Sequence, residues 1–225
     1  GEFMDLLTAM EQRHSVRSYS MTSIDKNTLN LLKGMIDTCN KESGLHIQLV
    51  IEEPLAFSSR LARYGNFEGV KNYIVMAGRK NIPNLDETCG YYGEKLVLFA
   101  QQLGLNTCWV GLTYKRIDSF YTLEKDEKVV IVISIGYGNN QGIPHNSKSK
   151  EDISNIDEDS PSWFKKGLKY ALLAPTALNQ QKFIITYVDG IVEAKAGFGP
   201  FAKVDLGIVK YHFELGAGID NFTWK

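Results

Sequence analysis

The run of residues 129–135, Val-Val-Ile-Val-Ile-Ser-Ile, constrains the fold more than any other part of the sequence. Six of its seven residues are apolar and β-branched, a pattern typical of a strand buried on both faces. Such a strand needs a large core. The chain has 225 residues, 44% of them hydrophobic, which suits one large domain or two smaller lobes that share a core.

Apolar spacing along the rest of the chain predicts alternating helices and strands. Gly44 and Gly104 follow two of the predicted helices and are expected to end them. Gly199 and Pro200 predict a turn. The predicted helices are 5–14, 28–40, 93–103, 163–173 and 204–215, and the other predicted strands are 45–51, 73–77 and 183–188.

The segment 139–162 is polar, contains two prolines, and is predicted to connect two halves, 4–138 and a shorter 163–225, that share one core. The halves resemble each other in layout. Apolar residues of 29–53 align with those of 163–190, and Leu96, Phe99 and Leu103 align with Ile208, Tyr211 and Leu215. Two matches in the same order predict an internal duplication, in which one chain forms the interface that a simpler relative forms by dimerising.

Charge and cysteine content argue against several classes of protein. The net charge is −1, from 25 basic and 26 acidic residues, so no nucleic-acid footprint is expected. No apolar run is long enough for a membrane span, and three scattered cysteines predict neither a disulfide framework nor a metal site. A reduced, cytoplasmic setting is expected. Gly1, Glu2 and Phe3 precede Met4 and are interpreted as a cloning remnant.

The first candidate for chemistry is the run Arg13-His-Ser-Val-Arg17. Two guanidinium groups, an imidazole and a hydroxyl within five residues could hold a phosphate or a delocalised anion. The alternative is a solvated basic helix end with surface ion pairs.

Two further segments could contact a flat heterocycle. The loop Ala174-Pro-Thr-Ala-Leu-Asn-Gln-Gln181 presents short amides and a hydroxyl after a helix that Pro175 ends. Its alternative is a turn with local side-chain caps. The segment Gly104-Leu-Asn-Thr-Cys-Trp-Val-Gly111 places two glycines around an extended stretch, where backbone could approach a ligand closely. Its alternative is a helix cap that leads into a core strand. A reactive Cys108 is not favoured, since no cation or base stands nearby in sequence.

Together these three segments resemble the FMN-dependent nitroreductase family. Arg13-His-Ser-Val-Arg-Ser-Tyr19 is similar to the family's opening R-[RH]-S-V-R-x-[YF] run. Residues 174–181 resemble its A-P-S-x-x-N-x-Q loop, with Thr176 in place of serine and Lys182 in place of the proline that follows. Residues 98–111 are similar to its helix that ends in L-G-L-G-T-C-W-x-G. The loop lies unusually late in this chain, which fits the branch with two nitroreductase-like halves in one chain.

The resemblance implies a nitroreductase-like α+β fold, with an antiparallel-rich central sheet flanked by helices and internally duplicated as a pseudo-dimer in one chain. It also implies one FMN shared by the two halves. Arg13 and Ser15 would contact the phosphate and ribityl chain, His14 would lie beside them, and Arg17 would lie near the flavin N1/O2 edge. The remaining FMN contacts would be Trp109, Val110 and Gly111 along the ring and Pro175, Thr176, Ala177, Asn179 and Gln181 on its other side.

The activity that this resemblance implies is a two-step exchange. NAD(P)H would reduce the flavin at N5, and a nitroaromatic, a quinone or a similar small acceptor would then take the electrons. No catalytic side chain and no metal is assigned. The alternatives are an FMN-binding protein without turnover and a flavin enzyme with different chemistry, such as dehalogenation. A monomer or a weak homodimer is expected.

Overall fold

The computed structural model describes residues 3–225, which divide into two compact units. The sheet unit contains Arg13–Leu85 and Leu96–Ile143, and the helix unit contains residues 3–12, Asp86–Lys95 and Pro144–Lys225. Gly1 and Glu2, interpreted above as part of a cloning remnant, lie outside the described residues.

The sheet unit is built on four antiparallel strands in the order β1-β2-β4-β3. Their bounds are β1 Gln48–Val50, β2 Tyr73–Arg79, β3 Asn106–Val110 and β4 Glu127–Gly136. Strand β4, which contains the 129–135 run, lies between β2 and β3, and its second half is buried. The predicted strand with two covered faces is therefore confirmed. Because β3 pairs with one strand only, one of its edges is open to other segments of the unit.

Helix ends in this unit follow from local side-chain chemistry. Helix α2, Lys26–Ser43, begins where the Asp25 carboxylate accepts a hydrogen bond from the backbone N–H of Thr28 at 2.9 Å. It ends at Gly44, whose φ of 76° favours glycine. A short helix, α3, spans Arg60–Tyr64, and α4 spans Leu85–Gln102. Gly104, with φ of 83°, lies just after the end of α4, so the ends predicted at both glycines are confirmed.

The helix unit combines a three-stranded sheet with several helices. Strands β5 Phe183–Val188 and β6 Ile191–Ala196 form an antiparallel hairpin, and β7 Thr223–Trp224 pairs in parallel with β6. Asp189 and Gly190 form the two-residue turn with φ of 49° and 82°. The helices are α1 Leu6–Gln12, the first part of α4, α5 Ser162–Ala171 and α6 Ala202–Ala217.

Helices α4 and α6 pack closely through two glycines of the helix unit. A Cβ added at Gly90 would collide with the Val204 carbonyl oxygen, and one added at Gly207 would collide with the Glu87 carbonyl oxygen. The two backbones therefore approach more closely than any larger residue would allow.

All five predicted helices and all four predicted strands are present, so the antiparallel-rich α+β architecture is confirmed. Their bounds differ: β1 is shorter than predicted, and α4 begins eight residues earlier than the predicted 93. Helix α3, strands β6 and β7, and the first turns of α4 were not predicted.

Candidate functional site

The segment that contains Arg13 to Arg17 lies along the open edge of β3. The N–H of Val16 donates to the Thr107 carbonyl at 3.0 Å, and Ser15 forms a parallel bridge with Thr107. The segment therefore extends the sheet by a short stretch. Two of the three motifs noted in the sequence, the basic run and the residues of β3, are neighbours within the sheet unit.

The charges of Arg13 and Arg17 and the hydroxyl of Ser15 all affect the pKa of the Cys108 thiol. Burial raises the pKa of that thiol, while the Arg17 charge, a hydrogen bond with Ser15 and the Arg13 charge oppose the rise. Cys108 is 3% exposed and stays protonated near neutral pH, so it is not a reactive thiolate. The Ser15 hydroxyl and the charges of both arginines are therefore close enough to affect the same side chain.

The two guanidinium groups differ in exposure. Arg13 is 4% exposed, whereas Arg17 is exposed; His14 and Ser15 are half-buried. A buried cation and a nearby exposed one suit an anion that is bound at one end and stays accessible to solvent at the other.

Residues 138–142 lie against the same segment. A Cβ at Gly142 would come within 2.7 Å of the Ser15 carbonyl oxygen and 2.8 Å of the His14 Cβ. Gly142 also has φ of 73°, so both its backbone conformation and its surroundings require glycine. The predictions above did not include Gly142, and nothing in the sequence around it indicates the contact.

The end of β3 places the other predicted residues of the sheet unit. Trp109 is partly exposed and pairs with Ile133, whereas Val110 is 2% exposed and pairs with Val132. The Val110 side chain therefore belongs to the core. Any ligand contact by Val110 would be made by its backbone, while Trp109 and Gly111 retain accessible surface.

The loop that follows α5 belongs to the helix unit and is held by its own side chains. Gln181 is 4% exposed; its Nε2 donates to the Asn146 carbonyl at 2.8 Å, and its Oε1 accepts from the Lys148 N–H at 2.9 Å. The Thr176 hydroxyl accepts from the Gln181 N–H at 3.1 Å. Asn179 is exposed, and its side-chain amide also donates to the Asn146 carbonyl, at 3.0 Å.

Pro175 and Ala177 complete the placement of the predicted loop residues. Pro175 is buried four residues after α5 ends at Ala171, and Ala177 is half-buried. Local side-chain caps, the alternative raised from the sequence, are therefore present, and they fix the loop in one shape. They do not preclude a ligand at its exposed tip.

Asp205, in the first turn of α6, is a buried acid that sequence reasoning missed. It is 5% exposed and accepts hydrogen bonds from the Ala177 N–H at 3.0 Å and from Gln180 Nε2 at 2.8 Å. Burial raises the pKa of its carboxyl group to about 6, against the lowering effect of both hydrogen bonds. An acid early in a helix is common in sequences, and only the tertiary contact distinguishes this one.

Within residues 3–225, no group of three or more histidine, cysteine, aspartate or glutamate side chains is arranged to hold a metal ion. No helix in that described part of the chain has the length and apolar character needed to cross a membrane.

The fold is that of the nitroreductase family. A sequence model of the family described as "Putative TM nitroreductase" matches residues 5–217. The chain therefore belongs to this family, and the predicted nitroreductase-like fold is confirmed. The predicted two-halves branch stays a prediction.

Solved structures with the same fold come from several bacteria. A "putative nitroreductase" from Thermotoga maritima MSB8 is 22% identical with a TM-score of 0.69, over 96% of this chain and 85% of that one. A "putative nitroreductase in complex with FMN" from Exiguobacterium sibiricum 255-15 is 16% identical with a TM-score of 0.53, over 68% and 98%. A "Putative NADH Oxidase" from Clostridium acetobutylicum is 18% identical with a TM-score of 0.51, over 70% and 100%. A comparison with curated protein sequences finds no match.

Proposed function

We propose that this chain binds FMN and is a flavin-dependent oxidoreductase that accepts hydride from NAD(P)H and reduces a small acceptor, such as a nitroaromatic or a quinone. Family membership supports the class. One structural neighbour was solved in complex with FMN, and another is described as an NADH oxidase, which supports the cofactor and the donor.

The observation that carries the proposal is the position of Arg13, Ser15 and Arg17 in one short segment that is bonded to β3 through Ser15 and Val16. FMN has a phosphate dianion at one end and a ring that becomes anionic on reduction at the other. Two cations four residues apart, with a hydroxyl between them, match both requirements. The donor set therefore fits FMN.

Each residue has a proposed role. Arg13 and Ser15 bind the phosphate and ribityl chain, and His14 lies beside them. Arg17 stabilises negative charge at the N1/O2 edge because it places a positive charge where that charge develops. When bound, the flavin supplies the hydride-accepting and hydride-donating centre at N5.

The remaining contacts are proposed on weaker grounds. Trp109 and Gly111 would contact the ring through exposed surface, and Val110 through its backbone. Pro175, Thr176, Ala177, Asn179 and Gln181 are proposed contacts because of the motif they form. Gln181 and Thr176 would contribute by fixing the shape of the loop, since their side chains bond within it.

The first experiment asks whether the purified protein is a flavoprotein that turns over. A yellow protein with one FMN per chain, bleached by NADH or NADPH and recoloured by a quinone or nitroaromatic, is the expected result. A yellow protein that neither nucleotide bleaches would instead identify a flavin-binding protein without turnover. A colourless protein that ignores added FMN would overturn the proposal.

Arg17→Ala tests the role of the exposed cation. Loss of a charge-assisted hydrogen bond is expected to weaken FMN binding by about tenfold or to lower the flavin reduction potential. Arg79→Ala is the matched control, because Arg79 is an equally exposed arginine of the same unit, paired with exposed Asp126. Native FMN affinity together with a native potential in Arg17→Ala would remove this residue from the site.

A further inference from the structure

The loop of residues 176–181 holds three non-glycine residues in the left-handed backbone region. The φ angles are 54° for Leu178, 52° for Asn179 and 47° for Gln181. Asparagine tolerates this conformation, but leucine and glutamine adopt it at a cost in free energy. Such a loop keeps its shape only if its surroundings hold it.

One set of contacts holds the C-terminal end of the loop. The buried Gln181 side chain bonds with the backbone of Asn146 and Lys148, and the Lys182 ammonium donates to the Phe198 carbonyl at 2.9 Å. These bonds fix where the loop enters β5. They do not involve the Ala177 N–H or the Gln180 side chain.

Asp205 bonds with both of these groups. Its carboxylate receives the Ala177 N–H, at 3.0 Å to one oxygen and 3.2 Å to the other, and Gln180 Nε2 at 2.8 Å. The same Gln180 amide also donates to the Pro200 carbonyl at 2.8 Å. A Cβ at Gly199 would collide with the Gln180 Oε1, so the glycine leaves room for this side chain.

The position of Asp205 is costly, which indicates that its hydrogen bonds matter. Its neighbours in α6, Val204 and Leu206, are buried apolar residues, and the carboxylate itself is 5% exposed. A buried carboxylate is tolerated only when hydrogen bonds replace its water. The first turn of the helix and the two loop donors supply that compensation.

We propose that Asp205 is a positioning residue for ligand binding, which clamps the 176–181 loop in its left-handed conformation and so presents the exposed Leu178 and Asn179 to the ligand. This role rests on the proposed function, because the loop is a proposed FMN contact. The Asp205 carboxylate accepts hydrogen bonds from Ala177 and Gln180 of the loop and is not itself proposed to touch FMN. Leu178 is 89% exposed, so a large apolar side chain is held towards solvent by a strained backbone.

The experiment measures the clamp and FMN binding separately. Amide hydrogen exchange is recorded on the full chain without FMN, and FMN affinity is measured by quenching of flavin fluorescence. Asp205→Ala is expected to speed exchange at the Ala177 amide at least tenfold and to weaken FMN binding by about tenfold. Asp205→Asn, which keeps one accepting oxygen, should fall between Asp205→Ala and the native chain in both.

A double-mutant cycle shows whether Gln180 acts through the same contact. Gln180→Ala should weaken FMN binding less than Asp205→Ala, and the double variant should be no weaker than Asp205→Ala alone, because the shared hydrogen bond is already lost. Asp86→Ala is the matched control, since Asp86 is a half-buried acid in the first turn of α4. It should leave both measurements at their native values.

The outcomes separate the two proposals. If the native chain binds FMN and Asp205→Ala loosens the loop without changing affinity, the positioning role is wrong and the proposed function stands. If exchange at Ala177 is native in both Asp205 variants, no clamp exists. If the native chain binds no FMN, the proposed function fails, and the positioning role fails with it. Asp205→Asn serves as the readout if Asp205→Ala does not fold.

Discussion

Helices α4 and α6 show the same backbone design with different polar side chains. Each begins directly after a residue in the left-handed region, Asn84 with φ of 55° and Phe201 with φ of 56°. Each leads into a strand, β3 at residue 106 and β7 at residue 223. Both pairs of positions are 117 residues apart.

The contact between the two helices repeats at the same spacing. Gly90 meets Val204 and Ile208, and Gly207 meets Glu87 and Tyr91, so each contact of one helix has its counterpart on the other. Such reciprocity is typical of a two-fold interface. It favours the predicted duplication, which stays a prediction. The structural spacing differs from the sequence match of Leu96 with Ile208, which are 112 residues apart.

Buried polar groups do not follow this repeat. At the 117-residue spacing, the counterpart of Asp205 is Thr88 and the counterpart of His212 is Lys95. Glu94 of α4 and His212 of α6 form a completely buried pair at 2.6 Å, and His212 Nδ1 lies 2.9 Å from the Tyr170 carbonyl, to which it must donate. The two helices therefore share a backbone framework, whereas each of these buried polar groups is specific to one helix.

The largest expected effect comes from breaking the buried pair. Glu94→Ala leaves His212 buried without the carboxylate and should lower the free energy of unfolding by about 3 to 5 kcal/mol in urea titrations. Glu193→Ala is the control; its partners Lys195 and Lys225 are exposed, and no measurable loss is expected. The double variant Glu94→Leu/His212→Leu should recover much of the loss. Equal losses of stability in Glu94→Ala and Glu193→Ala would show that the buried pair contributes no more than an exposed ion pair.

The reciprocal glycines give the next effect. Gly90→Ala and Gly207→Ala should each destabilise the chain by about 3 kcal/mol, because each added methyl meets a carbonyl oxygen of the facing helix. Gly34→Ala is the matched control in α2, where a Cβ meets nothing within 4 Å, and it should stabilise by about 1 kcal/mol. Clearly unequal losses of stability in Gly90→Ala and Gly207→Ala would contradict the equivalence of the two helix contacts.

The smallest effect concerns Asp205, a buried acid of α6 whose counterpart in α4 is Thr88. Burial raises the pKa of Asp205 to about 6 from its ordinary 3.8, so the folded chain binds an extra proton between those values. The contribution of Asp205 to stability is full below about pH 4 and is lost as pH rises through 6. Native stability should therefore fall by roughly 2 to 3 kcal/mol relative to Asp205→Asn over that interval. A pH-independent difference between the two proteins would contradict the assignment.

Much of the fold was predictable from local patterns. Strand β5 was predicted with its observed bounds, because Phe183 to Val188 is a β-branched, apolar run. The next strand was missed although Asp189 and Gly190 are a strong hairpin signal, since Glu193 and Lys195 interrupt the apolar residues that follow. The first turns of α4 were missed because Gly90 disfavours helix locally, and only the facing α6 backbone accounts for it.

The candidate site was predictable only in part. The basic run and the β3 residues were recognised as separate motifs, and the structure brings them together through the Val16–Thr107 hydrogen bond. Asp205 and Gly142 were missed because their roles depend on partners 28 and 127 residues away in sequence, Ala177 and Ser15. No local pattern encodes such contacts.

Helix α1 has a consequence for how the chain is made in the cell. Its partners are α5 and α6, and Tyr170 of α5 donates to Glu11 at 2.7 Å across 159 residues of sequence. At a synthesis rate of roughly 5 to 20 residues per second, α1 waits on the order of ten to thirty seconds for them. During that time Ala9 and Met10, which are buried in the folded protein, lack these two partner helices. The nascent chain is therefore expected to need chaperone protection at α1 until α5 and α6 have been synthesised.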